Sequence, residues 1–532
     1  MVNNSIPPNS FAIDFGTSNT AISRWNTVTN EAELVRLPAL SQQLGSQPPL
    51  IPSLVYVEDA AKGKIIAGQA VRDRGLDLNN DPRFFRGFKR GIGTEIQGFL
   101  PELDGVKISF EQIGEWFLTE LVVSLRQETS VQSLVLTVPV DSFESYRHWL
   151  MGICQSLAVE RIKILDEPTA AALGYQTQQQ SLLVVDFGGG TVDLSLVQLS
   201  SQNPDGYLLK WGNRLLGKSK VQQKNTARVI AKAGDNLGGI DIDNWLVDYF
   251  TKIQDLPKST LTTRLAERLK IKLSTNTKAK EVYFNDETLE TYELSLERDR
   301  FDTILQEQGF FTRLDDLMNR VLQQARNNGI EITDIDSVLL VGGSAKIPSV
   351  QYWLEQYFDT NLIKNQLSLE AVAIGALQIS QSTEVKDFLY HSYGIRYWNR
   401  RTHSHDWHRI INTGQPYPME QPVELVIGAS TPNQSSIELV IGELGQAAST
   451  EVYFDGERLV TRTVDTSNTQ VQPLNDTSGA RTIARLDPAG NPGSDRLKLK
   501  FRVDAERHLC ITVEDLLTQK SLLNNYIVVE LN

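Results

Sequence analysis

The sequence predicts a duplicated α/β unit followed by an all-β domain, and three observations carry that prediction. FAIDFGTSNTAIS, beginning at Phe11, is echoed by LVVDFGGGTVDLS, beginning at Leu183; aligning Asp14 with Asp186, 172 residues on, brings both DFG triplets and Ser23 with Ser195 into register. That offset is too long for a solenoid repeat and suits a duplicated α/β domain in which each copy contributes one hairpin. Between and after the hairpins, apolar strand-like runs alternate with helical ones. Beyond about residue 384 the helical periodicity stops, and short alternating segments separated by Pro, Gly, Asn and Asp take over.

Bulk properties bound the function classes. At 532 residues the chain exceeds what one core usually serves, so two or more folding units are expected. With 40% apolar and 22% charged residues it is ordinary for a globular protein. A net charge of −13 argues against nucleic-acid binding, because surfaces that track phosphates carry a basic field. Two cysteines, Cys154 and Cys510, lie far apart without metal-ligand spacing, which fits a reducing compartment. The start, MVNNSIPPNSFAIDFG, has no basic and apolar leader pattern, and no segment offers about 18 uninterrupted apolar residues. The expectation is a cytoplasmic, non-membrane protein.

In chain order, the first hairpin ends in Gly16, Thr17, Ser18 and Asn19, a turn whose backbone N–H groups and hydroxyls can converge on phosphate oxygens, because glycine lets the backbone come close. Asp14, at the strand end, is placed to hold Mg²⁺ through water. SLVLTVPV (133–140) reads as a strand leading into a helix near Ser142. In LDEPTAAALGY, Glu167 precedes a Pro that suits a first helical turn, and TAAA opens a helix of small residues. Glu167 thus projects from a helix N-terminus, either to orient a water or simply to complement the helix dipole. The second hairpin repeats the phosphate device with Gly188, Gly189, Gly190 and Thr191, Asp186 holding the matching carboxylate position. One such turn is equally an ordinary hairpin; two in register make a clamp. Further on, Leu265, Leu269 and Leu273 mark one face of a helix whose other face is basic. VLLVGGSAKIP sets Gly342, Gly343 and Ser344 between a buried strand and a helix, where a flat base can lie on backbone.

Other phosphate chemistries lack their parts. Protein kinases need an HRD loop and a strand lysine, P-loop enzymes need GxxxxGK[ST], and zinc or serine hydrolases need HExxH or GxSxG; none occurs here. A small-molecule kinase would need a base for a substrate hydroxyl and a sugar pocket, and the sequence points to neither.

Taken together, IDFGTSNT, IPSLVYV, FKRGIG, LTVPVDSFESYR, ILDEPTAAALGY, VVDFGGGTVDLS, AGDNLGGIDIDN, LLVGGSAKIP and EAVAIGA occur in an order that resembles the heat-shock-protein-70 (DnaK-like) chaperone family, within the actin and sugar-kinase superfamily. The resemblance covers residues 10–385 and implies an actin-like ATPase domain of two lobes over 1–383, a linker at 384–391, and a substrate-binding β-sandwich over 392–532. It implies ATP or ADP with Mg²⁺ as ligands. Lys89 falls where the family keeps the lysine that positions the γ-phosphate or the attacking water. Asp14, Glu167 and Asp186 match its Mg²⁺ and water-organising carboxylates, and Thr17 and Thr191 its phosphate-contacting threonines. Such positioned charges are what a loose phosphoryl-transfer transition state requires. Gly238 and Gly239, with Glu267, Lys270 and Ser274 and with Gly342, Gly343, Ser344 and Lys346, match the nucleotide contacts. Lys346 stands where an arginine is usual, which weakens stacking on the base, and Leu369 replaces a usual aspartate.

Pro139 and Arg147 match the residues that relay nucleotide state towards the linker. The linker itself departs, with FLYHS in place of the family's apolar run, so interdomain coupling and the docking of a J-domain co-chaperone or nucleotide exchange factor are altered expectations. Its patch Phe388, Leu389 and Tyr390 reads either as a docking linker or as a buried terminal helix turn. The segment 199–228, with Lys210, Arg214, Lys218, Lys220, Lys224 and Arg228, reads as a long hairpin or a solvated loop. In the tail, Ile395, Trp398, Ile427, Ile437 and Leu439 are candidates for an apolar cleft gripping an extended peptide, or else sandwich core. With IVVELN as the last residues, the expectation is a chain without the family's helical lid. The expected function is an ATP-dependent chaperone for unfolded or extended apolar segments; the alternative is an ATP-regulated scaffold whose β domain recognises one folded partner.

Overall fold

The structure is a computed structural model that describes residues 9–42, 48–94, 100–139, 144–175, 181–201, 225–285, 289–382, 389, 392–399, 404–412, 415, 417–419, 421–444, 448–455, 458–465, 471–475, 481–504 and 507–531. It is a mixed α/β chain divided into two compact units: Met1–Val385 with Thr450–Thr463, and Lys386–Ser449 with Val464–Asn532.

The first unit holds two sheets of one design. In the first, strands β1 (Ser10–Phe15), β2 (Asn19–Asn26), β3 (Glu31–Leu34), β4 (Ser133–Val138) and β5 (Arg161–Asp166) lie in the order β5-β4-β1-β2-β3, with Ile51–Pro52 also paired to β2. In the second, β6 (Ser181–Phe187), β7 (Val192–Ser201), β8 (Asn225–Asp235), β9 (Ser337–Val341) and β10 (Ile363–Lys364) lie in the order β10-β9-β6-β7-β8. Both leading hairpins are antiparallel, and both first strands take a parallel neighbour, β4 beside β1 and β9 beside β6. The internal duplication therefore extends from the hairpin motifs to the sheets around them. Every residue of β4 and of β9 is buried, which explains why SLVLTV and SVLLV read as continuous apolar runs rather than alternating ones. The segment 202–224, which holds most of the basic residues of the 199–228 stretch, lies outside the described residues; β7 and β8 on either side of it pair out to Ser201 opposite Asn225.

Seven helices matter for the site: α1 (Phe110–Glu128), α2 (Glu144–Ser156), α3 (Glu167–Gly174), α4 (Gly239–Gln254), α5 (Thr260–Leu273), α6 (Phe310–Asn327) and α7 (Ala371–Ser382). In α1, Phe110, Ile113, Phe117, Leu118, Leu121 and Leu125 recur three or four residues apart and are buried, while the Ser109 side chain caps the start by accepting from Gln112 N–H. In α5, Leu265, Leu269 and Leu273 form the buried face, as their spacing predicts. Helices α3 and α7 cross in backbone contact. A Cβ on Gly174 would lie 2.0 Å from the Ala371 carbonyl oxygen, and one on Gly375 would lie 1.8 Å from that of Ala170. The small residues of TAAA thus permit an approach that larger side chains forbid, with Ala170, Ala171 and Ala172 fully buried.

Every described regular element of the second unit is a strand. One sheet runs Ser404–Ile411, Ser392–Asn399, Ile441–Leu444, Val471–Pro473; another runs Val423–Gly428, Asp495–Val503, His508–Asp515, Lys520–Glu530; and Gln434–Leu439 pairs with Arg481–Gly490. The alternation in LKLKF is realised, with Leu497, Leu499 and Phe501 buried and the intervening Lys498 and Lys500 paired at its surface with Glu424 and Glu514. Leu389 is fully buried in this core, and its N–H donates to the Gln415 carbonyl, so this residue of the 384–391 segment packs with the β unit rather than ending a helix. Phe388 and Tyr390 lie outside the described residues.

Replacing a helical glycine by alanine ordinarily stabilises a helix by up to about 1 kcal/mol. Gly375→Ala should do the opposite, lowering stability by about 1–3 kcal/mol because the methyl meets the Ala170 carbonyl. Urea unfolding measures this; a midpoint equal to or above that of the unsubstituted chain would contradict the crossing.

Candidate functional site

The two glycine turns abut. A Cβ on Gly189 would lie 2.0 Å from the Ser18 hydroxyl oxygen, and one on Gly190 would lie 2.5 Å from that of Thr17. The first turn is held from beneath by Ser53, whose hydroxyl donates to the Gly16 carbonyl at 2.7 Å while its N–H donates to the Ser18 carbonyl at 2.9 Å. Asn19 accepts from the Gln42 side chain at 3.2 Å. In the second turn each glycine carbonyl is taken by a donor from outside. Gly239 N–H and the Ser344 hydroxyl reach Gly188, Ile240 N–H reaches Gly189, and Arg90 reaches Gly190. Since a trans peptide points its N–H opposite to its C=O, the amides of Gly189, Gly190 and Thr191 are turned away from those donors, which is the arrangement of an anion-binding nest. A solvent-open pocket lies beside the first turn, lined in part by Thr17, Ser18, Ser53, Arg72, Arg86 and Glu267.

Four ionisable side chains lie behind the turns. The Lys89 ammonium donates to the Phe15 carbonyl and, at 3.2 Å, to Glu167 Oε1. Asp14 Oδ1 accepts from the Thr137 hydroxyl at 2.9 Å. Burial raises the pKa of Asp14, pushes that of Glu167 up to about 7, and lifts that of Asp186 well above the usual carboxylate range, the last reinforced by Glu167 and Asp14 nearby. Burial works against the Lys89 charge, but Glu167, Tyr146 and Asp14 outweigh it and raise its pKa. Three carboxylates thus face one ammonium, and the surplus negative charge calls for protons or a cation. Among the described residues no three carboxylate, imidazole or thiolate groups converge as a direct metal shell. Asp14, Glu167 and Asp186 offer hard carboxylate oxygens, the donor type that suits a cation such as Mg²⁺.

Beside the second turn, Gly239, Lys270 and Ser344 converge. A Cβ on Gly239 would lie 2.8 Å from both the Lys270 amine and the Ser344 hydroxyl. Gly238 packs on the Gly189–Gly190 peptide, again with no room for a Cβ. Lys270 also pairs with Asp243 at 2.8 Å, Glu267 pairs with Arg72 at 3.0 Å, and the Ser274 hydroxyl turns back to the Lys270 carbonyl. Gly342 has φ +87 and sits against the Phe187 carbonyl and Asp186 Oδ1, where only glycine fits. Gly343 and Lys346 are exposed, and Leu369 lies near Gly343.

Several residues that the sequence reading passed over prove central. Arg90, which follows Lys89 in FKRGIG, is nearly buried and grips both the Gly190 carbonyl and the Asp241 carboxylate, tying the segment that carries Lys89 to the second turn. Thr137 and Ser53 lie inside quoted motifs, but nothing in their type marked them. Arg264–Asp77 and Arg86–Asp243 join positions far apart in sequence, which single-sequence pattern cannot pair. Of the other candidates, Ile395, Ile437 and Leu439 are buried in the core of the β unit, Ile427 packs on it, and Trp398 is 50% exposed with its ring against His405. Pro139 follows β4 and is half-buried, Arg147 lies in α2, and its side chain is outside what the structure describes.

Burial works to raise the Glu267 pKa, but Arg72, Arg86 and Lys270 together bring it down to about 2. A carboxylate depressed in the folded state stabilises above its unfolded value and loses that contribution as pH falls through the folded one. Glu267→Gln should therefore cost on the order of 1–3 kcal/mol at pH 6, with the gap narrowing between about pH 4.5 and pH 2. Denaturant unfolding of both chains at pH 6 and pH 3.5 checks it; a constant gap would contradict the pairing.

Residues 100–207 and 220–396, more than half of the chain, match the family described as Hsp70 protein. A curated relative, "Chaperone protein dnaK" of Trieres chinensis, is 30% identical over 397 residues, covering 65% of this chain and 59% of the relative. The chain thus spans less than two thirds of that relative's length. No described helix is long and apolar enough to cross a membrane. With the family match falling across β4, α3, the second glycine turn, α5 and β9, this chain belongs to the Hsp70 family.

Proposed function

We propose that this chain is an ATP-dependent molecular chaperone of the Hsp70 type, whose first unit is a two-lobed, actin-like ATPase and whose β unit engages polypeptide. The observation that carries the ATPase reading is the abutment of two matching glycine turns in front of Lys89, Asp14, Glu167 and Asp186. The triphosphate would lie between the turns, its oxygens taken by the amides of Gly16–Asn19 and Gly189–Thr191 and by the hydroxyls of Thr17, Ser18 and Thr191, while the Gly188 amide closes its own turn onto the Thr191 carbonyl. Magnesium bound with the triphosphate would supply the positive charge that the Asp14 and Asp186 carboxylates lack, held through water. Lys89 steadies the γ-phosphate or the attacking water, and Glu167, ionised when a cation is near, orients that water. Glu267, Lys270 and Ser274 would flank the nucleoside on one side and Gly342, Gly343, Ser344 and Lys346 on the other. For the first two this requires the salt bridges to Arg72 and Asp243 to be shared or exchanged.

The clients in this reading are unfolded or extended apolar segments, with a J-domain co-chaperone, a nucleotide exchange factor and the Pro139–Arg147 relay as further parts of the proposal, in a cytoplasmic setting. A second reading, an ATP-regulated scaffold that binds one folded partner, is favoured by one observation. Ile395, Ile437 and Leu439 fill the β unit's own core, and of the proposed peptide contacts only Trp398 is widely exposed. Peptide arrays separate the two: affinity for many short apolar peptides supports the chaperone, and silence against all of them supports the scaffold.

Lys89→Ala and Glu167→Ala should each slow single-turnover ATP hydrolysis by about ten-fold or more while leaving nucleotide affinity largely intact. Unchanged rates in both would remove the catalytic assignment.

A further inference from the structure

Behind the Lys89 ammonium stands an aromatic residue that none of the motifs brought forward. Tyr146, on α2, is 4% exposed, and the Lys89 nitrogen lies 5.8 Å from its ring centre and 5.4 Å from that of Phe15. The ammonium therefore lies between two aromatic faces on one side and Glu167 on the other, the geometry in which a cation gains from ring quadrupoles once it is desolvated. The tyrosine is itself fixed. Its ring packs on Trp149 at 5.3 Å, Trp149 packs on Phe15 at 6.5 Å, and the Trp149 N–H is anchored to the Glu111 carbonyl at 3.0 Å.

The hydroxyl is what a packing role leaves unexplained. Among the described residues the Tyr146 Oη is buried without a hydrogen-bond partner, although a buried phenol normally finds one and leaving it unmade is costly. Phenylalanine would fill the same space without that penalty. The groups that act on this phenol electrostatically are Lys89, Glu167 and Asp14, the polar side chains of the proposed hydrolytic site. A donor fixed by its neighbours, desolvated and set beside that charged group is suited to a partner that arrives with the substrate.

We propose that Tyr146 is a positioning residue acting through Lys89: its ring confines the ammonium, and its hydroxyl hydrogen-bonds a water of the crevice that Lys89 and Glu167 also hold. The assignment rests on the ATPase reading of this site, and it adds a residue whose contribution appears in turnover and not in nucleotide affinity. Tyr146→Phe keeps the ring and removes only the oxygen.

The experiment measures steady-state hydrolysis of Mg²⁺-ATP by the full chain, by Tyr146→Phe and by Lys89→Ala, with a thermal melt of each. For Tyr146→Phe the expected result is a kcat lower by about five-fold, a KM within about two-fold of the unsubstituted chain, and a melting temperature unchanged or higher. A kcat equal to that of the unsubstituted chain, with Lys89→Ala inactive, overturns the role of Tyr146 and leaves the ATPase reading standing. Falls in kcat and melting temperature together with a raised KM would show a merely structural role and also overturn it. No hydrolysis by the unsubstituted chain brings down the ATPase reading and this inference with it.

Discussion

The structure turns on one imbalance of charge. Glu167, buried, and Asp14 and Asp186, half-buried, gather around a single ammonium, that of Lys89, directly behind the point where two glycine turns meet. Burying carboxylates without compensation is unfavourable, and folding alone gains nothing from three of them at this spot. Under the proposed function the cluster becomes useful when a cation with phosphate oxygens enters, because each carboxylate would then be stabilised in its ionised form. The rest of the unit serves that spot: parallel strands β4 and β9 support the strands that carry Asp14 and Asp186, and the glycines of the α3–α7 crossing let those two helices pack in backbone contact.

The links between segments distant in sequence follow from the same electrostatics. Arg90 joins the Lys89 segment to the Gly190 carbonyl and Asp241, while Arg72–Glu267, Arg264–Asp77 and Arg86–Asp243 join further pairs distant in sequence. Arginine suits these positions because its planar fork satisfies a carboxylate and a carbonyl together and stays charged when partly buried. Glu267 and Lys270 take part in this network and also belong to the proposed nucleoside contacts. Opening the crevice and releasing a ligand from it would therefore draw on the same side chains.

Much of this was legible in the sequence because it is periodic or repeated. The in-register hairpins foretold two sheets of matching strand order, and the spacing of Leu265, Leu269 and Leu273 foretold a buried helical face. VLLVGGSAKIP foretold a buried strand ahead of Gly342, and every residue of β9 is buried, whereas the left-handed φ of +87 at Gly342 had no signal in the sequence. What stayed hidden depends on long-range contact. Arg90 beside Lys89 in FKRGIG looks like a solvated pair, and only the fold turns one towards Glu167 and the other towards Gly190. Leu439 and Ile437 could not be sorted between cleft and core by hydropathy, since both environments demand the same apolar side chain.

The most direct test of the central claim is the equilibrium affinity of the full chain for ATP, measured by calorimetry with Mg²⁺ and again with the metal chelated. If the buried carboxylates require a cation to admit the triphosphate between the turns, Mg²⁺ should tighten binding by about ten-fold or more. Equal affinity in both conditions, or no binding in either, would contradict the account.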